Sequence, residues 1–212
     1  MSLPKSHPKP KTPSNTSPPV DPSLPAPNGS LYQVVLGRGT QNYTCDKSNA
    51  TAVPSPTGAN ATLFNVTCIA ASMPDLLSVL PDIALNLPTP NPSSPSLDSH
   101  ILQTLLVGTH YFADLSTPLF NLTTSIHDYG MGTFKKTDAT PAPEGAMAGV
   151  QGQEFGAVAW LRLDANPSSY VPQQRLREVY RMNTAGGSPP EDCSEAPEAF
   201  EIEYAAEYWF YS

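Results

Sequence analysis

The chain has 212 residues, of which 25 are proline and only 14% are charged, room for one domain with tails and fewer charges than the usual quarter. Its net charge of -8 excludes a phosphate-backbone partner, which needs clustered Lys and Arg, so no nucleic acid is expected. No apolar run reaches the length of a membrane span, and the opening MSLPKSHPKP lacks the apolar core of an export leader, so the sequence reads as a mature chain with an added initiator Met.

Residues 1–28 hold nine prolines among Ser, Thr, Lys and Asn, a composition that cannot bury enough apolar surface to order itself and reads as a disordered stalk. The folded domain is expected over 29–212. Residues 31–36 (LYQVVL) and 40–45 read as strands separated by Gly37-Arg38-Gly39, the two glycines marking a bulge or tight turn. Residues 53–58 (VPSPTG) read as a turn and 61–70 (ATLFNVTCIA) as a third strand. One short helix is expected over 74–80, with Ser72 as cap, Pro74 and Asp75 in its first turn and Pro81 ending it. The Pro-rich stretch 87–99, which contains Pro90 and Pro92, is long for a loop and therefore a binding candidate.

Further strands follow at 101–113, broken at Gly108, at 118–122, at 130–136, and at 155–163, whose two apolar faces make it central in its sheet. Residues 137–145 read as loop. Residues 176–182 precede the turn at Ala185-Gly186-Gly187. The last segment, 199–211 (AFEIEYAAEYWFY), alternates Phe200, Ile202, Tyr204, Ala206, Tyr208 and Phe210 against Glu201, Glu203, Ala205, Glu207, Trp209 and Tyr211, the period of a strand. Its length predicts a bend or bulge near Ala205 and Ala206. The expected architecture is a mainly β, single-domain antiparallel sandwich or barrel with one short helix and a Pro-rich N-terminal segment.

Compartment is written in a second pattern. Asn-x-Ser/Thr sequons occur at Asn15, Asn28, Asn42, Asn49, Asn60, Asn65 and Asn121, which points to a secreted glycoprotein, extracellular or in a cell wall. Asn42, Asn65 and Asn121 alternate with apolar neighbours, so their glycans are expected to leave from the solvent side of strands. Of the three cysteines, Cys45 and Cys68 sit at inward positions of predicted strands and are expected to bond, worth about 3 kcal/mol for a loop of that size. Cys193 is then spare, although its pairing with either of the others stays open.

Catalytic patterns are sparse. The strand followed by Gly37-Arg38-Gly39 has Asn42 where a dinucleotide fold needs its third glycine, and no helix is expected after it, so no cofactor is expected. No cysteine or histidine spacing predicts a metal. His110 and Asp114 lie close in sequence, and with a carboxylate of the last strand, Glu207, they form the only hydrolase set on offer, without a nucleophile elbow. Glu201, Glu203 and Glu207 face Arg177 and Arg181 in the simplest reading, as surface ion pairs. Trp209 and Tyr211, outward by alternation, and Trp160 are candidates for stacking a sugar.

The stretches GRGTQNYTC (37–45), ATLFNVTCIAA (61–71), HYF (110–112), TPLFNL (117–122), AVAWLRL (157–163), EVYRMNTAGG (178–187) and YAAEYWFY (204–211) together resemble the secreted fungal proteins of the DUF3455 family, in order, over about 25–212. The resemblance implies extracellular placement and one β-rich domain but no reaction. The malate dehydrogenase label that some members carry finds no support in these residues. The expected function is a non-catalytic, monomeric binding protein of a fungus. Its partner is either a host enzyme such as a protease, met by Pro90 and Pro92, or a cell-wall glycan met by the tryptophans; the alternative is a hydrolase of unrecognised type.

Overall fold

Strand β8 (Ala199–Tyr211) feeds two apolar layers at once. Its even-numbered side chains Tyr204, Ala206, Tyr208 and Phe210 enter one core cluster, while Trp209 and Tyr211 on the opposite face enter another. A strand buried on both faces needs a covering layer on each. The computed structural model, which describes residues 17–18, 23–49, 51–89, 104–168, 171 and 174–212, supplies both.

The inner layer is the interior of a closed barrel. Its strands are β1 (Leu31–Thr44), β2 (Ser55–Asn65), β3 (Leu106–Phe112), β4 (Pro118–Thr123), β5 (Asp128–Thr140), β6 (Trp160–Ala165), β7 (Glu178–Gly186) and β8. All neighbours pair antiparallel in sequence order, and β1 closes the ring on β8 over thirteen register positions, Leu31 with Tyr211 to Thr44 with Ala199. Closure removes the unpaired edges that an open sheet would leave. The expected sandwich or barrel is thus a barrel. Val35, Leu63, Val107, Phe120, Phe134 and Val179 meet Tyr208 and Phe210 inside it, each such side chain contributing about 1.5–3 kcal/mol by leaving water.

The outer layer covers the wall around β1, β7 and β8. Two helices, α1 (Thr67–Ser72) and α2 (Pro74–Leu85), follow β2. Leu77 of α2 and Ala70 of α1 pack with Val34, Met182 and Trp209, and Leu85 packs on Ala185 and Ala205. Leu24 is buried in the same layer and Pro25 accepts a 2.8 Å bond from the Tyr180 hydroxyl. The folded chain therefore begins before residue 29, because Leu24 finds an apolar site on the wall. The rest of the expected stalk lies almost wholly outside the described residues.

Several sequence expectations change. Residues 31–44 form one strand: Gly37 and Gly39 pair with Leu63 and Ala61 on one side and with Ala206 and Tyr204 on the other, with no register shift there. A Cβ on Gly39 would lie 1.9 Å from the Asn60 carbonyl oxygen, and one on Gly37 would lie 2.7 Å from the Tyr208 ring. The glycines admit close neighbours where a turn was expected. Gly108 likewise sits inside β3, where a Cβ would meet the Asn121 carbonyl oxygen at 1.9 Å. Residues 55–58 belong to β2, 137–140 to β5, and 67–72 to a helix. Pro81 lies inside α2, buried against the wall, and the helix has no side-chain N-cap. Residues 155–159 precede β6, with Ala157 making an isolated bridge to Gly187.

The bulge expected in β8 falls on its partner. Met182 pairs with Glu207 and Ala185 with Ala205, so β7 advances three residues where β8 advances two. Asn183, in the bulge, has φ 43°, alone among the described non-glycine residues in having a positive φ.

The disulfide joins Cys45 to Cys193, not to Cys68. Strand β2 ends at Asn65, which turns Cys68 onto α1 as an exposed free thiol. Cys45 just past β1 instead meets the loop before β8, where Cys193 N–H donates to the Ala52 carbonyl and Cys45 N–H to Glu198. No helix among the described residues is long and apolar enough to cross a membrane.

Candidate functional site

The hydrolase set is dispersed by the barrel wall. His110 points inward, where Nδ1–H donates to the Leu119 carbonyl at 2.9 Å and the ring stacks on Phe120 with centroids 4.1 Å apart. Burial pulls its pKa down to about 4, so the imidazole is neutral at ordinary pH. Asp114 lies in the exposed β3–β4 turn, accepting from the backbone N–H groups of Ser116 and Thr117 and from the Ser116 hydroxyl. Those bonds hold its carboxyl down at about 2, an Asx turn rather than a proton shuttle. Glu207 is on the outer face of β8. Distance and wall separate the three.

Glu207 is fully buried beside Trp209, with Oε1 accepting from Asn183 Nδ2 at 2.6 Å and Oε2 from Trp209 Nε1 at 2.9 Å. Burial outweighs both donors and raises its carboxyl to about 7. The expected surface pairing of Glu201, Glu203 and Glu207 with Arg177 and Arg181 does not form. Glu203 accepts instead from Arg38. Arg181 is buried and donates from Nε and Nη2 to the Ala159 carbonyl.

The sugar-stacking candidates are covered. Trp209, Tyr211 and Trp160 are 2%, 3% and 6% exposed, because the layer containing Leu24, α1 and α2 lies on the faces that alternation turns outward. Pro90 and Pro92 lie outside the described residues. Asn42 and Asn121 stand opposite inward neighbours as alternation predicts. Asn65 does not: Ala61 and Leu63 face the interior, so alternation along β2 turns Phe64 outward, and Phe64 and Val66 line an outer groove.

That groove is an apolar concavity among the described residues. It measures about 510 Å³ and runs between the outer wall of β1 and β2 and the two helices. Leu36 and Phe64 come from the wall, Ile69 from α1, Leu80 and Ala84 from α2, and Leu105 from just before β3. Arg38, Asn65, Cys68 and His127 supply its polar atoms. Arg38 is itself 2% exposed and braces the site: Nε donates to the Ala84 carbonyl at 3.0 Å, and Nη2 to those of Leu85 and Leu87 at 3.3 Å each. A guanidinium there satisfies the carbonyls that α2 leaves open and complements the negative end of its dipole. The Glu203 carboxylate balances its charge.

Sequence reasoning missed this site because it ended the helix at Pro81 and read 67–70 as strand. The available signal was the spacing of Leu77, Pro81 and Leu85, which puts three buried residues on one helical face. Among the described residues no group of three or more His, Cys, Asp or Glu side chains is placed to hold a metal ion.

The fold and the groove define a closed, up-and-down eight-stranded barrel with a helical layer on its outside and an apolar site between the two. Residues 25–212 match the family described as "Protein of unknown function (DUF3455)", and the chain belongs to that family. No curated protein and no solved structure matches it.

Proposed function

We propose that this is an exported binding protein that takes a small, largely apolar molecule into the groove between α1, α2 and the outer barrel wall. The observation that carries the reading is the groove itself. Its volume of about 510 Å³ lies within the range of small-molecule sites, and its mostly apolar lining with a few polar groups is their usual chemistry. With the Arg38 charge already balanced by Glu203, the favoured occupant is neutral, with one hydrogen-bonding group for the Asn65 carboxamide, since both His127 ring nitrogens are already bonded, to Thr104 and Tyr129.

Export is supported by the Cys45–Cys193 disulfide, a bond that persists in oxidising compartments, and by sequons at the exposed residues Asn49 and Asn60. A fungal source rests on the resemblance alone. The effector reading, in which the 87–99 loop enters a host protease, draws on residues mostly outside those described. The groove favours a small molecule over a flat protein surface.

The test uses a neutral, environment-sensitive apolar fluorophore, N-phenyl-1-naphthylamine, titrated against the folded protein. Saturable binding at one site, abolished by Leu80→Arg with circular dichroism and Tm preserved, is the expected result. Absence of saturable binding, or binding indifferent to both Leu80→Arg and Ile69→Arg, overturns the proposal.

A further inference from the structure

The sequons differ in what their carboxamides already do. Asn28 donates from Nδ2, the atom a glycan would modify, to Glu178 Oε1 at 2.9 Å. Asn65 and Asn121 accept from the backbone N–H groups of Thr67 and Thr123 at 3.0 and 3.1 Å, and both are half-buried. Asn42 is half-buried and accepts from the Thr40 hydroxyl at 3.2 Å. Asn49 is exposed but accepts from the Thr51 hydroxyl of its own sequon at 3.0 Å. Asn60 alone among the described sequon residues is exposed on a strand and carries no hydrogen bond on its carboxamide.

Its surroundings are also distinctive. Ala61 faces the interior, so Asn60 points outward from β2, directly opposite Tyr111 of β3. Directly opposed residues place their Cβ atoms about 4.5–5.5 Å apart. Among the described residues Tyr111 is 39% exposed and Leu115 76% exposed. Asn60, Tyr111 and Leu115 line one shallow depression of about 500 Å³. An aromatic face and an exposed leucine beside an unoccupied amide form a seat for the apolar face of a sugar ring, much as rings stack elsewhere.

We propose that Asn60 carries an N-linked glycan whose first N-acetylglucosamine lies on the Tyr111 ring and shields Leu115. The inference rests on the exported reading above. In the modification, Asn60 Nδ2 loses one proton and forms a bond to C1 of the first sugar. The donor is a lipid-pyrophosphate-linked oligosaccharide, and the bond that breaks is the one from C1 to the pyrophosphate oxygen, which leaves with the lipid. The amide keeps its second hydrogen and its carbonyl, so the β2 ladder is undisturbed.

The full chain, routed through the secretory pathway of a eukaryotic host by an appended leader, is analysed by glycopeptide mass spectrometry. Occupancy at Asn60 is the expected result. The glycosylated protein is also expected to melt about 2–4 °C above its Asn60→Gln variant, which lacks only this glycan. Tyr111→Ser, at a surface position, should abolish that difference without lowering the Tm of the Asn60→Gln form. Secretion with other sequons filled and Asn60 bare overturns this inference and leaves the exported reading standing; retention in the cell with every sequon bare overturns both. Occupancy at Asn60 with a Tm increment that survives Tyr111→Ser overturns the stacking.

Discussion

Asn183 and Glu207 meet across the β7–β8 pair, where the 2.6 Å bond from Asn183 Nδ2 to Glu207 Oε1 fixes a carboxyl group with no solvent exposure. The bulge at Asn183 makes this contact, since its φ of 43° is one that Asn tolerates better than most residues. Burial raises the carboxyl to about 7 from an ordinary 4.5, so the folded chain holds this proton more tightly than the unfolded one. The resulting stability is fully present below about pH 4.5 and is lost as pH rises through about 7. A shift of this size is on the order of 3 kcal/mol. Glu207→Gln should remove that loss from denaturant-unfolding curves taken across the window. It should also cost about 1–3 kcal/mol at every pH, because its amide turns an N–H toward another donor. A pH slope unchanged from the parent protein would count against the assignment.

His110 tilts the protein the other way. Its folded pKa of about 4 lies below the ordinary 6.5, so its contribution is fully present above about pH 6.5 and is lost as pH falls through about 4. Between about pH 4.5 and 6.5 the two buried groups oppose each other and the parent protein should show a shallow profile. His110→Phe should uncover a stability that falls as pH rises, Glu207→Gln one that rises with pH, and the double variant should be nearly flat. Parallel profiles for both single variants would refute the opposition.

How much of this was legible in the sequence depends on the range of the interaction. The alternation of 199–211 correctly gave β8 and its inward set Tyr204, Tyr208 and Phe210, because a strand's period is a local property. It also placed Trp209 and Tyr211 on the opposite face. Their covering was invisible, since Leu24 and Leu77 reach them from far along the chain. Cys45 and Cys193 are separated by 148 residues, and no local pattern distinguishes that partner from Cys68. Pro81 stops helices in isolation; here its burial against the wall offsets the lost hydrogen bond, a tertiary effect that propensity does not contain.

The disulfide closes most of the folded chain into one loop. In the chain-entropy account a closure across 148 residues is worth about 4–5 kcal/mol. Cys45→Ala with Cys193→Ala should lower unfolding stability by about that amount, whereas Cys68→Ser should leave it unchanged. Thiol titration of the native parent protein should return one reactive group, absent in Cys68→Ser. Titration of no thiol in the parent, or loss of the disulfide in Cys68→Ser, would contradict the pairing.

Arg38 ties the end of α2 to the wall through carbonyls of Ala84, Leu85 and Leu87. Arg38→Met keeps much of the apolar stem but takes the donor from the Leu85 and Leu87 carbonyls, while Ala84 keeps the Leu87 N–H at 3.2 Å, at about 2–4 kcal/mol in total. Arg38→Lys should recover little, because a single ammonium cannot reproduce the planar fork. Both variants should lose helical ellipticity and weaken fluorophore binding in the groove before the barrel itself melts. If α2 and the barrel instead unfold in a single unchanged transition, Arg38 is not the brace.

Gly39 distinguishes a barrel-wall glycine from a phosphate-loop glycine. In a dinucleotide fold, a side chain at this place would obstruct the cofactor; here it would meet the Asn60 carbonyl oxygen at 1.9 Å, a backbone atom that cannot move aside without opening the β1–β2 ladder. Gly39→Ala should therefore cost about 3 kcal/mol or more, with no nicotinamide nucleotide present. Gly37→Ala should cost less, since the nearest atom is on the Tyr208 ring, which can tilt if its hydroxyl releases the 2.9 Å bond to Tyr204. Chemical denaturation of the two variants orders them directly. A Gly39→Ala protein as stable as its parent would mean that β1 and β2 do not approach as closely as the register requires.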